Sequence, residues 1–474
     1  MWTRHHSFAV ALCLIAFASA SAISDFVFER VPHVEDELAY YFQAQVFAHG
    51  RAYVNTPPEP VCFFAPFVLD YQGHRFGKYP PGWSALLALG LSLRQTWWIP
   101  AMCFALTLAL IFRLGADVGG RGIGALASAL AITSPYALLL SGTLMSHAGS
   151  LLFATAFFVL WRRRLACIGS FATGALLGCA FAIRPFSAIA IAIPAGFVTA
   201  IQLWRQRDWQ RVVLMFAGFT IPASSVFFFN AIWTGDPFAS TYELYWRFDK
   251  LGFGPGFGMR EGGHTLWFGL GMAGTLLGEL ATRLHGVPAL SLTFVIVGFL
   301  FKPRRASDLF LGATALALIL AHVVYWTDGS LFKPRYFYEA TFAFFILSAL
   351  GIARVDRWMQ HRGAYRGALA LALCFDLFVF LPFEFREYNA LYEITARPRA
   401  ILQDAQLHNA LVIVHGDLGW KDYAVPFTLN APTLDGDVVY ANDCGALNQK
   451  LIAHFLGRRV YFFDARTMMV NREP

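Results

Sequence analysis

The stretch Val31–Gln45, VPHVEDELAYYFQAQ, determines how the rest of the chain is interpreted. It follows an apolar segment and contains the three consecutive carboxylates of Glu35–Glu37. Pro32 suits the first turn of a helix, where acidic residues interact favourably with the positive end of the helix dipole. The stretch therefore predicts a short helix, and Gly50 is a suitable residue to end it.

One face of this predicted helix combines several kinds of polar side chain. On a period of 3.6 residues, Asp36, Tyr40, Gln43 and Phe47 share a face, which places an acid, a phenol and an amide side by side. These groups would then lie together on a helix held against a membrane, which is one interpretation of the stretch as a functional site. The alternative is an acidic segment that only keeps the first extracytoplasmic loop in water.

The composition indicates an integral membrane protein. The chain has 474 residues, of which 57% are hydrophobic and only 14% are charged. Its apolar runs recur at lengths that can cross a bilayer, which takes about 20 helical residues. We therefore predict an all-α polytopic membrane protein. The net charge of +7 does not indicate nucleic-acid binding, because the basic residues lie in short loops between apolar runs.

The positive-inside rule orients the predicted spans. Basic clusters at 162–164, 205–211, 302–305 and 354–366 are all cytoplasmic if two amphipathic stretches, 83–93 and 266–284, lie in the interface instead of crossing it. About eleven spans are then predicted, at 8–23, 97–114, 123–143, 148–161, 165–183, 186–203, 212–232, 287–301, 309–326, 336–353 and 367–383. The first is favoured as an uncleaved span, although Ala18-Ser19-Ala20 also resembles a signal-peptidase site.

Two regions are predicted from this pattern. Residues 1–383 form a transmembrane module with long outer loops at 29–96 and 233–285. Residues 384–474 form a small extracytoplasmic α/β tail, with strands at 410–414, 438–440 and 460–463 and a helix at 446–455.

The seven cysteines lie mostly inside apolar runs and lack CxxC spacing, which argues against a disulfide framework or a zinc site. Cys62 and Cys444 are the two that we place outside the membrane. A bridge between this pair stays open as an alternative.

Four short pieces, in this order, resemble the GT-C class of membrane glycosyltransferases. They are the acidic stretch Glu35–Glu37, Lys78-Tyr79-Pro80-Pro81-Gly82 at the end of the same outer loop, Leu144–His147 and Lys333–Glu339. The chain is most similar to the bacterial branch related to protein O-mannosyltransferases (dolichyl-phosphate-mannose-protein mannosyltransferases) and aminoarabinose transferases. The resemblance covers roughly residues 8 to 350.

The resemblance implies a hexosyl- or pentosyltransferase of the cell envelope. It would take a sugar from a polyprenyl-phosphate carrier on the outer, periplasmic face of the plasma membrane and pass it to a lipid, glycan or protein acceptor. The first acid of the family's acidic pair is the base, which corresponds to Asp36, with Glu37 as the alternative. Attack from the side opposite the phosphate would invert the anomeric carbon.

The departing phosphate needs cations at the outer ends of spans, and a cation within the bilayer is costly unless it serves a function or reaches the interface. Lys78, Arg184 and Arg335 meet this condition and are the predicted phosphate-binding residues. The residues predicted to line the site are Tyr40, His147, Tyr336 and Tyr338.

No metal site follows from the residues, because His74, His147 and His264 are dispersed without ligand spacing. Several relatives carry an acid immediately before the lysine of the proline-proline stretch, where this chain has Gly77. A metal bound through that acid is therefore not expected. A divalent metal ion stays open as a cofactor.

Two other classes of function compete with this interpretation. A transporter or flippase of lipid-linked sugars would have polar residues in the middle of several spans and symmetry between its halves, and neither is evident. A non-catalytic envelope assembly protein would leave the acidic stretch without a task.

Overall fold

The structure is a computed structural model that describes residues 2–301, 304–332 and 334–472. Lys302 and Pro303 of the third basic cluster, and Lys333 of the fourth GT-C-like piece, lie outside the described residues.

Helices dominate the chain, with strands only in its first outer loop and its tail as far as it is described. The helices before the second long loop are α1 (Trp2–Phe26), α2 (Glu35–Ala48), α3 (Pro81–Ser92), α4 (Trp98–Gly119), α5 (Arg121–Thr133), α6 (Pro135–Ser141), α7 (His147–Arg163), α8 (Ile168–Ile183), α9 (Pro185–Gln206) and α10 (Trp209–Thr234). The later helices are α11 (Thr241–Tyr245), α12 (Leu266–Arg283), α13 (Thr293–Leu300), α14 (Ala306–His322), α15 (Thr341–Trp358), α16 (Arg362–Phe375), α17 (Leu381–Tyr388), α18 (Arg397–Asp404), α19 (Trp420–Phe427) and α20 (Asn448–His454). A π turn, Asp376–Phe380, joins α16 to α17, and 3₁₀ turns cover Pro60–Phe63, Arg335–Ala340, Leu391–Glu393 and Gly445–Leu447.

Among the described residues, five helical segments are long and apolar enough to cross a membrane, and a bent pair makes a sixth. The chain is therefore a multi-pass membrane protein. The predicted number of about eleven spans stays a prediction. The five segments are Trp98–Gly119, Pro185–Gln206, Trp209–Thr234, Arg335–Trp358 and Arg362–Glu393, and shorter apolar helices cover Val10–Phe26, Ile168–Ile183 and Ala306–His322.

The predicted span over 123–143 is not one straight helix, because α5 and α6 meet at an angle of 64°. Pro135 causes the break, since proline disfavours the helical conformation in the residue before it. Ser134 is extended accordingly, and its hydroxyl accepts a hydrogen bond from the backbone N–H of Ala137 at 3.3 Å, which caps α6.

The predicted span over 287–301 is helical only over the eight residues of α13. At 1.5 Å per residue α13 is about 12 Å long, whereas the hydrocarbon core measures about 30 Å. His285, between α12 and α13, lies 3.0 Å from Ser348 in the middle of α15. Gly298 of α13 accepts a hydrogen bond from Arg354 near the end of α15. The predicted interfacial helix α12 thus leads into the bundle, and α13 completes the path to its far end.

The basic clusters gather at one end of the bundle. Arg305 donates to the carbonyl of Val118 at 2.9 Å, and Arg354 pairs with Asp308. Arg211 donates to the carbonyl of Trp161.

The stacked rings of Trp161 and Phe310, 5.0 Å apart, place the Arg211 contact beside the contacts of Arg305 and Arg354. The positive-inside rule predicts that the basic clusters lie together at one end of the helix bundle.

Two small sheets lie outside the bundle. The first outer loop, predicted only as a long polar loop, forms β1 (Val54–Asn55), β2 (Val68–Tyr71) and β3 (His74–Gly77) in the order β1-β3-β2. The tail forms β4 (Ala410–His415), β5 (Val438–Asn442), β6 (Arg459–Asp464) and β7 (Met469–Arg472) in the order β5-β4-β6-β7.

The tail strands β4, β5 and β6 match the three predicted ones, and β4 pairs in parallel with both neighbours. A disulfide between Cys62 and Cys444 ties the first outer loop to the tail. The domain boundary at residue 383 stays a prediction.

Candidate active site

Asp36 lies in the first turn of α2, with its side chain 14% exposed. The hydroxyl of Tyr79 donates to Oδ1 at 2.7 Å, and Nη1 of Arg335 lies 3.4 Å from Oδ2. Burial by itself would raise the pKa of the Asp36 carboxyl. Arg335, the Tyr79 hydrogen bond, Lys78 and Arg184 outweigh it and hold this pKa below its ordinary value. Asp36 is therefore ionised at neutral pH.

Glu37 is fully buried, and both of its oxygens are occupied by backbone N–H groups. Oε2 accepts from His33 at 2.9 Å and from Val34 at 3.3 Å, and Oε1 accepts from Leu144 at 2.7 Å. The first two bonds cap α2, and the third joins it to the segment after α6. Glu37 thus fixes the position of α2, and this geometry favours Asp36 as the group that faces a substrate.

The face of α2 that carries Asp36 is held by further contacts. Tyr40 donates to Oγ of Ser146 at 3.0 Å, and Oε1 of Gln43 accepts from the N–H of Gly77 at 2.8 Å. A Cβ atom at Gly77 would lie 3.2 Å from both the carbonyl oxygen of Ala39 and Cβ of Gln43. An acidic side chain at position 77 would therefore press against α2, which gives a physical reason for the glycine there.

Arg335 and Arg184 both lie near the same aromatic ring. Their guanidinium carbons are 5.6 Å and 5.9 Å from the ring centroid of Tyr336. Arg184 also forms an ion pair with the fully buried Glu339. In the described part of the chain, Nε of Arg335 makes no hydrogen bond, so this guanidinium keeps donor capacity for another group.

Lys78 is more enclosed than the sequence suggests. Its ammonium is 3.0 Å from Oδ2 of Asp249, and its side chain is 3% exposed. Burial lowers the pKa of Lys78, and Asp249 acts in the opposite direction. The five aromatic rings within 4.2–5.5 Å of the ammonium are those of Phe67, Trp246, Tyr242, Tyr245 and Tyr79.

Asp249 belongs to the second outer loop, and its other oxygen accepts from Tyr325 at 2.8 Å and Trp326 at 3.0 Å. Lys78 therefore joins the two outer loops beside the site.

Tyr338 and His147, which were also predicted to line the site, differ in their hydrogen bonding. Tyr338 is fully buried and exchanges a hydrogen bond with the hydroxyl of Ser141 at 2.9 Å, so its phenol is used in packing against α6. The ring of His147 meets that of Tyr338 edge-on at 6.0 Å. Neither nitrogen of His147 has a hydrogen-bond partner among the described residues.

Three side chains of this site are not among those predicted from the sequence: Tyr79, Asp249 and Glu339. Tyr79 and Glu339 belong to the GT-C-like pieces and could have been selected from them. Asp249 carries no local signal, because it is one charge in a long loop. Over the described residues, no group of three metal-binding side chains lies close enough together to hold a metal ion.

The site thus combines one ionised carboxylate that is partly exposed with two arginines that converge on one ring. A carboxylate in this setting can accept a proton, and the arginines can bind a phosphate through charged hydrogen bonds.

Neither a protein-family model nor a curated protein sequence matches the chain. Solved structures do match. ArnT from Cupriavidus metallidurans bound to undecaprenyl phosphate aligns with a TM-score of 0.58 and 13% identity, over 98% of this chain and 91% of ArnT. Apo ArnT aligns with a TM-score of 0.57 and 13% identity, over 97% and 93%. The chain therefore has the fold of ArnT, a membrane glycosyltransferase of the GT-C class.

Proposed function

We propose that this protein is an integral-membrane glycosyltransferase that moves a sugar from a polyprenyl-phosphate carrier to an acceptor on the outer face of the membrane. The observation that carries the proposal is the contact between Asp36 and Arg335, with Arg184 near the same Tyr336 ring as Arg335. The fold shared with ArnT, solved with undecaprenyl phosphate, supports a lipid-linked donor.

The proposed reaction needs one proton acceptor and one anion site. Asp36 accepts the proton of the acceptor hydroxyl as its oxygen attacks the anomeric carbon. The bond between that carbon and the phosphate oxygen breaks, and its electron pair leaves with the carrier phosphate. Arg335 and Arg184 stabilise this charge, so the phosphate need not be protonated. Attack opposite the phosphate inverts the anomeric carbon.

The outer side of a plasma membrane suits the site for two reasons. The basic clusters lie at the opposite end of the bundle from Asp36, which favours an extracytoplasmic site. The Cys62–Cys444 disulfide joins two segments on the side of Asp36, and disulfides persist in oxidising compartments.

Lipid analysis of a deletion strain tests this function. Loss of the enzyme should cause a polyprenyl-phosphate sugar to accumulate, identified by mass spectrometry. Wild-type protein supplied in trans should remove the accumulated lipid, whereas Asp36→Asn at equal abundance should not. A deletion strain with an unchanged lipid-linked sugar pool would contradict the proposal.

A further inference from the structure

A cavity of about 280 Å³ lies between α2, the first outer loop and the tail. Leu38, Tyr41 and Gln45 of α2 line it. Gln45 is nine residues after Asp36, which turns it about 180° around the helix. The cavity is therefore on the opposite face of α2 from the candidate active site, and the helix separates the two.

The walls of the cavity are fixed by specific contacts. Nε2 of Gln45 donates to the carbonyls of Thr428 and Asn430, each at 3.1 Å. The side chain of Asn430 exchanges two hydrogen bonds, of 2.9 Å and 2.8 Å, with the backbone of Tyr440. The disulfide holds the outer loop against the tail beside them. Because these bonds hold the walls in place, the side chains do not collapse into the cavity to reach the close packing that is usual in a protein interior.

Aromatic rings from all three elements face this space. Two come from α2, one from the outer loop and two from the tail: Tyr41, Phe42, Phe63, Phe427 and Phe455. Between them lie side chains that can both donate and accept hydrogen bonds, namely Asn55, Thr433 and His454.

The charges around the cavity are compensated. Arg75, which also lines it, is buried and donates to Asp70 at 2.8 Å, and its guanidinium carbon lies 5.6 Å from the ring centroid of Phe42. A charged ligand would therefore find no unpaired partner in Arg75. A neutral ligand with apolar faces and hydroxyl edges fits this lining better.

We propose that this cavity binds one or two pyranose units of a glycan. A pyranose ring presents C–H groups on its faces, which suit aromatic rings, and hydroxyls at its edge, which suit amide, hydroxyl and imidazole groups. The volume is near the lower end of about 300–1,000 Å³ that is usual for small-molecule sites. A peptide would favour an extended groove with a free strand edge.

That this glycan is part of the acceptor rests on the proposed transferase function. That the cavity binds a saccharide is independent of it. A glycan held on the far face of α2 would be a remote part of the acceptor. Its binding would anchor the acceptor without touching the reacting atoms.

The test is saturation-transfer NMR on the purified full-length protein in nanodiscs, with maltotriose, mannotriose and chitotriose as probes and trialanine as the competing class. At least one of the three trisaccharides should bind to the wild-type protein. Thr433→Trp fills the cavity and should weaken that binding about tenfold or more. Thr467→Trp places the same ring on the exposed turn between β6 and β7 and should leave binding unchanged.

A second pair of variants guards against misfolding of Thr433→Trp. His454→Ala should weaken binding, and His408→Ala, an exposed histidine outside the cavity, should not. Failure of all three trisaccharides to bind, binding unaffected by both Thr433→Trp and His454→Ala, or saturable binding of trialanine alone would overturn the proposal. Asp36→Asn should bind the trisaccharide normally, which separates this result from the fate of the transferase hypothesis.

Discussion

Every predicted phosphate-binding cation of the site has a carboxylate partner. Lys78 pairs with Asp249, Arg184 pairs with Glu339, and Arg335 lies beside Asp36 at the longer distance of 3.4 Å. Removing one partner of a buried ion pair is costly, because the other charge is left uncompensated. Arg335 is the least committed of the three, and we expect it to contribute most to binding of the carrier phosphate.

The first residue-scale prediction separates Asp36 from Glu37. Asp36→Asn removes the basic site and keeps the size of the side chain, so turnover should fall by about 10²–10⁴-fold while the carrier still binds. In Glu37→Gln the side chain keeps only one oxygen that can accept hydrogen bonds, so one set of the backbone N–H bonds is lost. The free energy of unfolding should therefore fall by about 1.5–3 kcal/mol. Sugar transfer and thermal unfolding of the carrier-loaded enzyme check both variants.

Glu35→Gln serves as the control, because it lies on a different face of α2 and should affect turnover much less. Full activity in Asp36→Asn together with a stable, inactive Glu37→Gln would move the base by one residue.

The second prediction concerns the pH dependence of turnover. The pKa of Asp36 lies below its ordinary value, so in the wild-type enzyme the base stays deprotonated as the pH falls towards 5. Arg335→Ala removes the first of the groups that lower this pKa, while burial, which raises it, remains. The acid limb of kcat should therefore shift to higher pH in Arg335→Ala. An acid limb that shifts to lower pH in this variant would contradict the assignment of Asp36 as the base.

The third prediction concerns the phosphate clamp. Arg335→Ala and Arg184→Ala should each weaken carrier binding about tenfold to a hundredfold, because charged hydrogen bonds contribute roughly 1.5–3 kcal/mol. Lys78→Ala should act on binding and also loosen the second outer loop, since it leaves Asp249 buried without its cation. Binding of polyprenyl phosphate to purified variants is the measurement. Arg51→Ala, an exposed arginine in the first outer loop, is the control, and wild-type binding in all three site variants would place the clamp elsewhere.

Among the helices, α8 and α10 pack closely through glycines on both. A Cβ atom at Gly174 would lie 1.8 Å from the carbonyl oxygen of Met215, and one at Gly218 would lie 2.0 Å from that of Phe171. Small residues at these positions let the two backbones approach closely, as is common in membrane helix pairs. Helix α8 continues directly into Arg184, so its packing against α10 helps to position that arginine.

The fourth prediction tests this packing. Gly174→Ala forces α8 away from α10 and should cost about 1–3 kcal/mol of stability, with a drop in the thermal unfolding temperature. Gly196→Ala in α9 is the matched control, because a Cβ atom there has no neighbour within 4 Å, and it should be neutral or stabilising. Equal unfolding temperatures for the two variants would show that the contact is not tight.

At the scale of the whole molecule, the bundle has one end rich in basic residues and another that carries the site, both outer loops and the tail. The fifth prediction follows from this polarity. A cysteine replacing Arg164 should resist a membrane-impermeant maleimide in intact cells, whereas cysteines replacing Asn55 or Ala400 should react. The Cys62–Cys444 pair is retained in all variants so that the tail stays attached. Labelling at position 164 before permeabilisation would overturn the topology and the location of the site.

The class of the protein and much of its layout could be predicted from local sequence patterns. Apolar runs, basic clusters and strand patterns are local properties, so the membrane module, the helix that carries Asp36 and the tail strands could all be predicted. The order of four short pieces along the chain was enough to indicate the GT-C fold, which the structural match to ArnT confirms.

Which side chains meet depends on how distant segments pack together. Asp36 and Arg335 are 299 residues apart, and Lys78 and Asp249 are 171 apart, so no periodicity could pair them. The burial of Glu37 against Leu144, the tight fit at Gly77, the short α13 and the cavity behind α2 likewise depend on contacts between distant segments. Local patterns specify which elements form, because they depend on neighbouring residues, but the partner of each buried charge is fixed only when those elements pack.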